Sequence, residues 1–287
     1  VAGRAYLALQ ALARGSDTPT DELLTRFVLE RFLYRLARSA HRERLVLKGG
    51  MLLEVFDVRR ATRDIDFLGR SIANDTEIIG ALIGEIASTE VDDGVLFLVA
   101  RLTAAVIRED DVYAGLRVKI PAELDRARTI LSVDVSIGDP VAPPPVTVTY
   151  PTLLEGEPFE LVAYPMVTVL AEKIETMIRR GGANTRERDF ADVWMLIRRH
   201  EISGAEFRRA LEATTRHRGT ALVPLLDAVG DLGSVRQAAW ATYRQRTRID
   251  ALPKELSVVL VEISRFVDPI SRGDDVNLWR PEVQSWE

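Results

Sequence analysis

The stretch from Leu47 to Phe67, LKGGMLLEVFDVRRATRDIDF, constrains this chain more than any other. A short apolar run, Leu45 to Leu47, closes at Lys48-Gly49-Gly50; MLLEVFDV follows with helical character, and DIDFLG reads as a strand. The order is strand, glycine turn, helix, strand. Thirteen residues separate Gly50 from Asp64, room for one helix and a return loop. On the second strand Asp64 and Asp66 are two apart and share one face, while Ile65 and Phe67 point into the core.

Each residue type in this stretch has a chemical reason to be there. Two glycines let a backbone turn approach a phosphate closely, and a helix starting at Met51 would aim its unpaired N–H groups at that anion. Lys48, Gly49 and Gly50 are therefore candidate contacts to a triphosphate. Two carboxylates on one face repel each other unless a cation lies between them, and a hard divalent ion such as Mg²⁺ suits all-oxygen ligands and substrate phosphates alike. Taken singly, a Gly-Gly turn is also an ordinary structural turn, and Asp-x-Asp also an ordinary wet strand face. A third carboxylate, Asp134, sits centrally in ILSVDVSIGD, flanked by Ile130, Val133, Val135 and Ile137. That setting predicts a largely buried strand, where an unpaired carboxylate is costly and a metal would compensate. Asp139, before Pro140, reads as a turn residue.

Around this stretch the chain divides into two kinds of pattern. Residues 20–40 place Leu23, Leu24, Phe27, Val28, Phe32 and Leu36 at helical spacing, with Thr20 or Asp21 as N-cap. Residues 75–87 read as a second helix, and alternation over 95–108, 115–120 and 129–137 predicts strands, which makes the first half α+β around one mixed sheet. From Gly138 to Pro151, GDPVAPPPVTVTYP holds five prolines in fourteen residues and marks a junction, giving domains at 1–150 and 151–287. Helical patterns then follow at 166–180, 187–199, 203–216, 219–230, 233–246 and 254–267: a C-terminal helical bundle. The last twenty residues are turn-rich but carry Trp279 and Trp286, which leaves packing on the body or on a partner open.

Composition narrows the chemistry. The absence of cysteine excludes disulfides, thiolate zinc sites and cysteine nucleophiles, and His41, His200 and His217 fit neither zinc nor triad spacing. No window is long and apolar enough for a membrane span, and no signal peptide is evident, so a cytoplasmic protein without membrane contact is expected. The net charge of −5 hides a split: residues 165–250 carry 15 basic and 11 acidic side chains, a local +4 that permits RNA binding.

Apolar-Gly-Gly followed by Asp-apolar-Asp-apolar resembles the signature of the DNA polymerase beta-like nucleotidyltransferases. The co-linear series DGVLF, YAGLRVKI, LSVDVSIGD, YPTLL, VLAEKIETMI and NTRERDFADVW resembles the AbiEii/AbiGii toxin family, to which the MenT toxins belong, over about residues 20 to 200. That resemblance implies a polymerase beta-like core and a C-terminal helical bundle. It also implies a catalytic set of Asp64, Asp66, Asp134, Lys173 and Asp192, with the three aspartates of the core holding two Mg²⁺ ions, and nucleotide contacts at Lys48, Gly49, Gly50, Arg63, Lys173 and Asp189. Lys173 would place a point charge on the triphosphate, and Asp192 would orient Lys173 or a substrate hydroxyl; an interhelical salt bridge is the alternative. Arg63, Arg186 and Arg188 are either phosphate contacts or surface charges. The family further implies transfer from a nucleoside triphosphate (NTP) to RNA, at the 3′ end of tRNA, blocking translation, within a toxin–antitoxin or abortive-infection system with a cognate antitoxin. A small-molecule (antibiotic-type) or protein acceptor, or a non-catalytic interaction module, are the competing readings. Met51 departs from the pattern: many superfamily members have a small polar residue there, so backbone donors must carry more of the phosphate contact.

Overall fold

In the computed structural model, which describes residues 1–16, 18–107 and 115–287, the chain forms two units: Val1–Asp139 with Val146–Tyr164, and Pro140–Pro145 with Pro165–Glu287. The first opens with helices α1 (Ala2–Arg14) and α2 (Thr20–Arg38), the latter following Pro19, which takes the N-cap position in place of Thr20 or Asp21. Then come β1 (Leu45–Lys48), α3 (Gly49–Leu52) running into a 3₁₀ turn (Leu53–Phe56), β2 (Ile65–Gly69) and α4 (Thr76–Ala87). The Asp75 side chain caps α4 by accepting from the Glu77 and Ile78 amides. Strands β3 (Val95–Phe97), β4 (Thr103–Ile107), β5 (Gly115–Leu124), β6 (Ala127–Ile137), β7 (Val146–Tyr150) and β8 (Phe159–Ala163) complete it. The stretch expected as one strand over 95–108 is two strands parted by a 3₁₀ turn at Val99–Arg101, and Arg108, Tyr113 and Ala114 lie outside the described residues.

The strands order as β3-β5-β6-β2-β1-β8-β7, with β4 also on β5. β2 runs parallel to β6 and β1 parallel to β8, the other pairs antiparallel, so the sheet is mixed. Its register sorts side chains by chemistry. Leu47, Phe67, Val135 and Leu116 face each other across β1, β2, β6 and β5, all of them buried. Phe67 meets Phe32 of α2, so this apolar row is the face that the helices cover. One residue along, Lys48, Asp66, Asp134 and Arg117 form a second row in the same register, and the pleat turns them to the opposite face. Strand β8 joins the sheet beside β1, so the first unit extends to Tyr164 instead of closing at residue 150.

The second unit holds α5 (Met166–Arg180), α6 (Glu187–Ile197), α7 (Gly204–Arg218), α8 (Leu225–Val229), α9 (Leu232–Val235), α10 (Gln237–Thr247) and α11 (Leu256–Ser271). The pattern at 219–230 condenses to the five residues of α8, because Gly219 ends α7 in the left-handed region and Pro224 delays the restart. A small sheet adds what helical periodicity does not foresee: β9 (Ile202–Ser203), β10 (Leu278–Arg280) and β11 (Ser285–Trp286). The C-terminal tryptophans thus pack on the body. Trp279 donates to the Ile197 carbonyl and Trp286 to that of Phe266, and both rings lie against Phe266. No helix among the described residues is long and apolar enough to cross a membrane.

Candidate active site

The glycine turn and the aspartate pair are in direct contact. Gly49 has φ +68°, a left-handed conformation that side chains rarely adopt, and a Cβ built there would fall 1.9 Å from Asp66 Oδ2. At Gly50 a Cβ would fall 2.5 Å from Thr62 Oγ1 and 3.2 Å from an Arg60 nitrogen. Both glycines are therefore required by the returning loop that delivers the aspartates, which packs onto the turn too closely for any side chain. Thr62 is buried, and its hydroxyl lies 3.4 Å from both the Asp64 carbonyl and carboxylate oxygens, a long contact at the limit of a hydrogen bond.

Asp64 stands at the entry to β2, immediately before its first paired residue, and Asp66 lies within the strand. Both are half-buried. The expected helix from Met51 is shorter than the sequence suggests: it begins at Gly49, makes one α-turn and tightens to 3₁₀. So few aligned peptides add little dipole, and an anion held here would depend on individual backbone amides of the turn.

Asp134 lies opposite Asp66 on β6, buried as expected, but it is met by a guanidinium. Arg117, its register partner on β5, donates through Nε to Oδ1 at 2.7 Å and through Nη2 to Oδ2 at 2.5 Å. At the other end of the row, Lys48 donates to Asp139 Oδ2 at 3.0 Å and lies over the Tyr164 ring. Asp139 also accepts from Ser136 Oγ at 2.9 Å, so it is more than a turn residue. The order across the sheet is cation, carboxylate, carboxylate, cation. Among the described residues no three His, Asp or Glu side chains converge as a ready metal cage. What β2 and the residue just before it offer is a pair of oxygen donors, Asp66 and Asp64, which suits Mg²⁺, an ion that commonly takes one or two carboxylates and completes its shell from phosphates and water.

The second unit carries its own charged cluster. Lys173 on α5 donates to Asp189 Oδ1 and Asp192 Oδ2, both at 2.8 Å, and Arg186 donates to Asp189 Oδ2 at 2.6 Å. Asp189 and Asp192 are buried. Burial alone would raise the Asp189 carboxyl, but Lys173 and then Arg186 outweigh it and hold it well below the usual carboxylate range. Asn184 fixes the start of this segment by accepting from the Arg186 amide. Arg63 and Arg188 are exposed. Part of the local basic excess is spent internally: Arg179 pairs with Glu175, Arg198 with Glu262, and Arg244 donates to the Leu252 carbonyl.

Sequence reasoning did not single out Arg117 or Thr62, and it undervalued Asp139. All three acquire their partners through strand register or loop return, which spacing along the chain does not encode.

Residues 31–269 match the family model described as "Nucleotidyl transferase AbiEii toxin, Type IV TA system". Among solved structures, the fold is similar to MenT4, a nucleotidyltransferase toxin of Mycobacterium tuberculosis H37Rv, at TM-score 0.54 and 19% identity, covering 77% of this chain and 76% of that one. It is also similar to JHP933 of Helicobacter pylori, at TM-score 0.50 and 14% identity, covering 88% and 93%. In a comparison with curated proteins nothing matches.

Proposed function

Because the chain belongs to the family of AbiEii nucleotidyl transferase toxins of type IV toxin–antitoxin systems, we propose that it moves a nucleoside monophosphate from an NTP onto RNA, at the 3′ end of a tRNA, in a Mg²⁺-dependent reaction that blocks translation. The observation that supports this reading is the close approach of Gly49 to Asp66, which sets the glycine turn beside a carboxylate that would hold the metal. Asp64 and Asp66 would hold the metal, with Asp134 one strand over. Bound there, Mg²⁺ supplies charge to the phosphate oxygens and acidity to the attacking hydroxyl.

The chain's own residues do the remaining work. The amide N–H groups of the Gly49-Gly50 turn would donate to the triphosphate. Lys173 is held by two carboxylates within its own unit, an ammonium fixed in place before a phosphate arrives. Its proposed part is to present a fixed positive charge to a phosphate, with Asp189 and Asp192 orienting it. The family reading and the +4 balance of residues 165–250 support RNA as the acceptor, and a cytoplasmic place of action is proposed with it. A separately encoded antitoxin is the expected partner.

The test is incubation of the purified protein with total tRNA, Mg²⁺ and each labelled NTP in turn, with Asp66→Ala as control, read on a denaturing gel. Label on tRNA from the wild type alone supports the reading and identifies the donor. Transfer only to protein or to a small molecule would replace tRNA as the acceptor, and no transfer to any acceptor would sink the proposal.

A further inference from the structure

Resting on the metal-dependent reading above, we propose that Arg117 is a built-in counter-ion of Asp134, a positioning residue that competes with a divalent cation for that carboxylate. Asp134 is directly opposite Asp66 in a parallel register, so two carboxylates face each other across adjacent strands. Like charges in that position destabilise a sheet unless something offsets them. Arg117 does so from the opposite neighbour, and its fork engages both oxygens of Asp134 at once. The Asp134 side chain is 11% exposed and the Arg117 side chain 31%, so the carboxylate is dry while the guanidinium reaches toward solvent. A carboxylate so buried is costly to leave unpaired, and a guanidinium cannot release its proton to vacate the site.

The consequence concerns when a cation is taken up. While Arg117 holds both oxygens, a cation reaching Asp134 must share or displace a full positive charge. Asp64 and Asp66 are then the stronger donors in the nucleotide-free protein, and Asp134 joins once phosphates add negative charge to the site. Arg117 thereby couples cation binding at Asp134 to the arrival of the nucleotide. Serine, threonine or leucine at this register position would keep the strand but lose the coupling.

The test is Mn²⁺ binding to the full chain without nucleotide, followed by calorimetry or by the loss of the free-ion paramagnetic signal, for the wild type and for Arg117→Gln, Arg117→Lys, Asp134→Asn and Asp66→Asn. Arg117→Gln should tighten Mn²⁺ binding roughly tenfold, the effect of removing one partly buried cation from a carboxylate. Adding Asp134→Asn to Arg117→Gln should abolish that gain. Arg117→Lys, which keeps the charge and loses the fork, should give a smaller gain and serves as the test if Arg117→Gln does not fold. With NTP and Mg²⁺, Arg117→Gln should lower kcat and shift the Mg²⁺ dependence to lower concentration, a split that a purely structural strand residue would not produce. Unchanged or weaker Mn²⁺ binding in both Arg117 variants, with Asp66→Asn still weakening it, overturns the proposal alone. If Asp66→Asn leaves Mn²⁺ binding untouched, the metal reading itself falls and this proposal with it.

Discussion

Gly49 and Asp66 occupy the same space: the Cβ that any other residue would carry at position 49 lies 1.9 Å from the Asp66 carboxylate. Glycine there is a condition for the carboxylate's position as much as for the turn. Gly49→Ala must either push Asp66 aside or shift the turn, and it also places a side chain at φ +68°. The substitution should cost about 1–2 kcal/mol of stability from the backbone alone. Because displacement by about 1 Å can cost on the order of a hundredfold in rate, transfer should fall by at least that. Thermal unfolding beside a transfer assay checks this. A variant that stays fully active would show that the turn and the carboxylate are uncoupled.

Asp66→Ala should separate stability from activity in the other direction. Asp66 faces Asp134 across β2 and β6, so its removal takes one of two like charges from adjacent strands, and the variant should still fold cooperatively. Transfer should drop on the order of a thousandfold or more, as for loss of a group that places charge at the reacting centre. Asp64→Ala should behave alike in activity. A folded, active Asp64→Ala protein would contradict the assignment of the pair.

What could be read from the sequence here was local. The glycine turn, the Asp-Ile-Asp strand and the helices at Thr20–Arg38, Thr76–Ala87 and Met166–Arg180 all announce themselves by periodicity or by short-range spacing. The short pieces did not. Strand β8 at Phe159–Ala163 follows a proline-rich stretch and looks like the prelude to a helical half, yet it pairs with β1 over a hundred residues earlier. The Arg117–Asp134 pair depends on the register of β5 against β6, and no pattern within either strand states which residues will be opposite. Lys48 and Asp139 meet for the same reason, through a return of ninety-one residues.

The C-terminal tail is structural. Trp279 is almost fully buried, donates to the Ile197 carbonyl at 2.6 Å and packs edge-on against Phe266, so it ties the tail to α6 and α11. Trp279→Ala should destabilise the protein by about 3–5 kcal/mol, the usual cost of emptying a large aromatic site. Denaturant unfolding measures it directly, and a loss below about 1 kcal/mol would mean the site collapses without consequence or the tail is dispensable.

The cluster at Lys173 predicts a pH signature with a definite sign. In the wild type, burial acts to raise Asp189, while Lys173 and Arg186 bring it well below the ordinary carboxylate range. A group depressed in the folded state contributes stability that is present above its unfolded pKa and is lost only as pH falls through the folded value, so this contribution persists through mild acid. Lys173→Met removes the larger of the two offsetting charges and leaves two buried carboxylates facing an apolar chain. The variant should lose about 3 kcal/mol at pH 7, the cost of stripping one partner from a buried pair. Burial then gains on the remaining Arg186, and the Asp189 carboxyl moves upward. A raised group contributes stability below its unfolded pKa and loses it as pH rises, so the deficit of Lys173→Met against the wild type should shrink from pH 7 toward pH 4. Urea unfolding of both proteins across that range decides it: a gap that narrows with acid means Lys173 is there to keep the buried Asp189 carboxyl ionised, whereas a gap constant with pH would mean that its contribution is packing of the lysine stem and that the charge is dispensable to the fold.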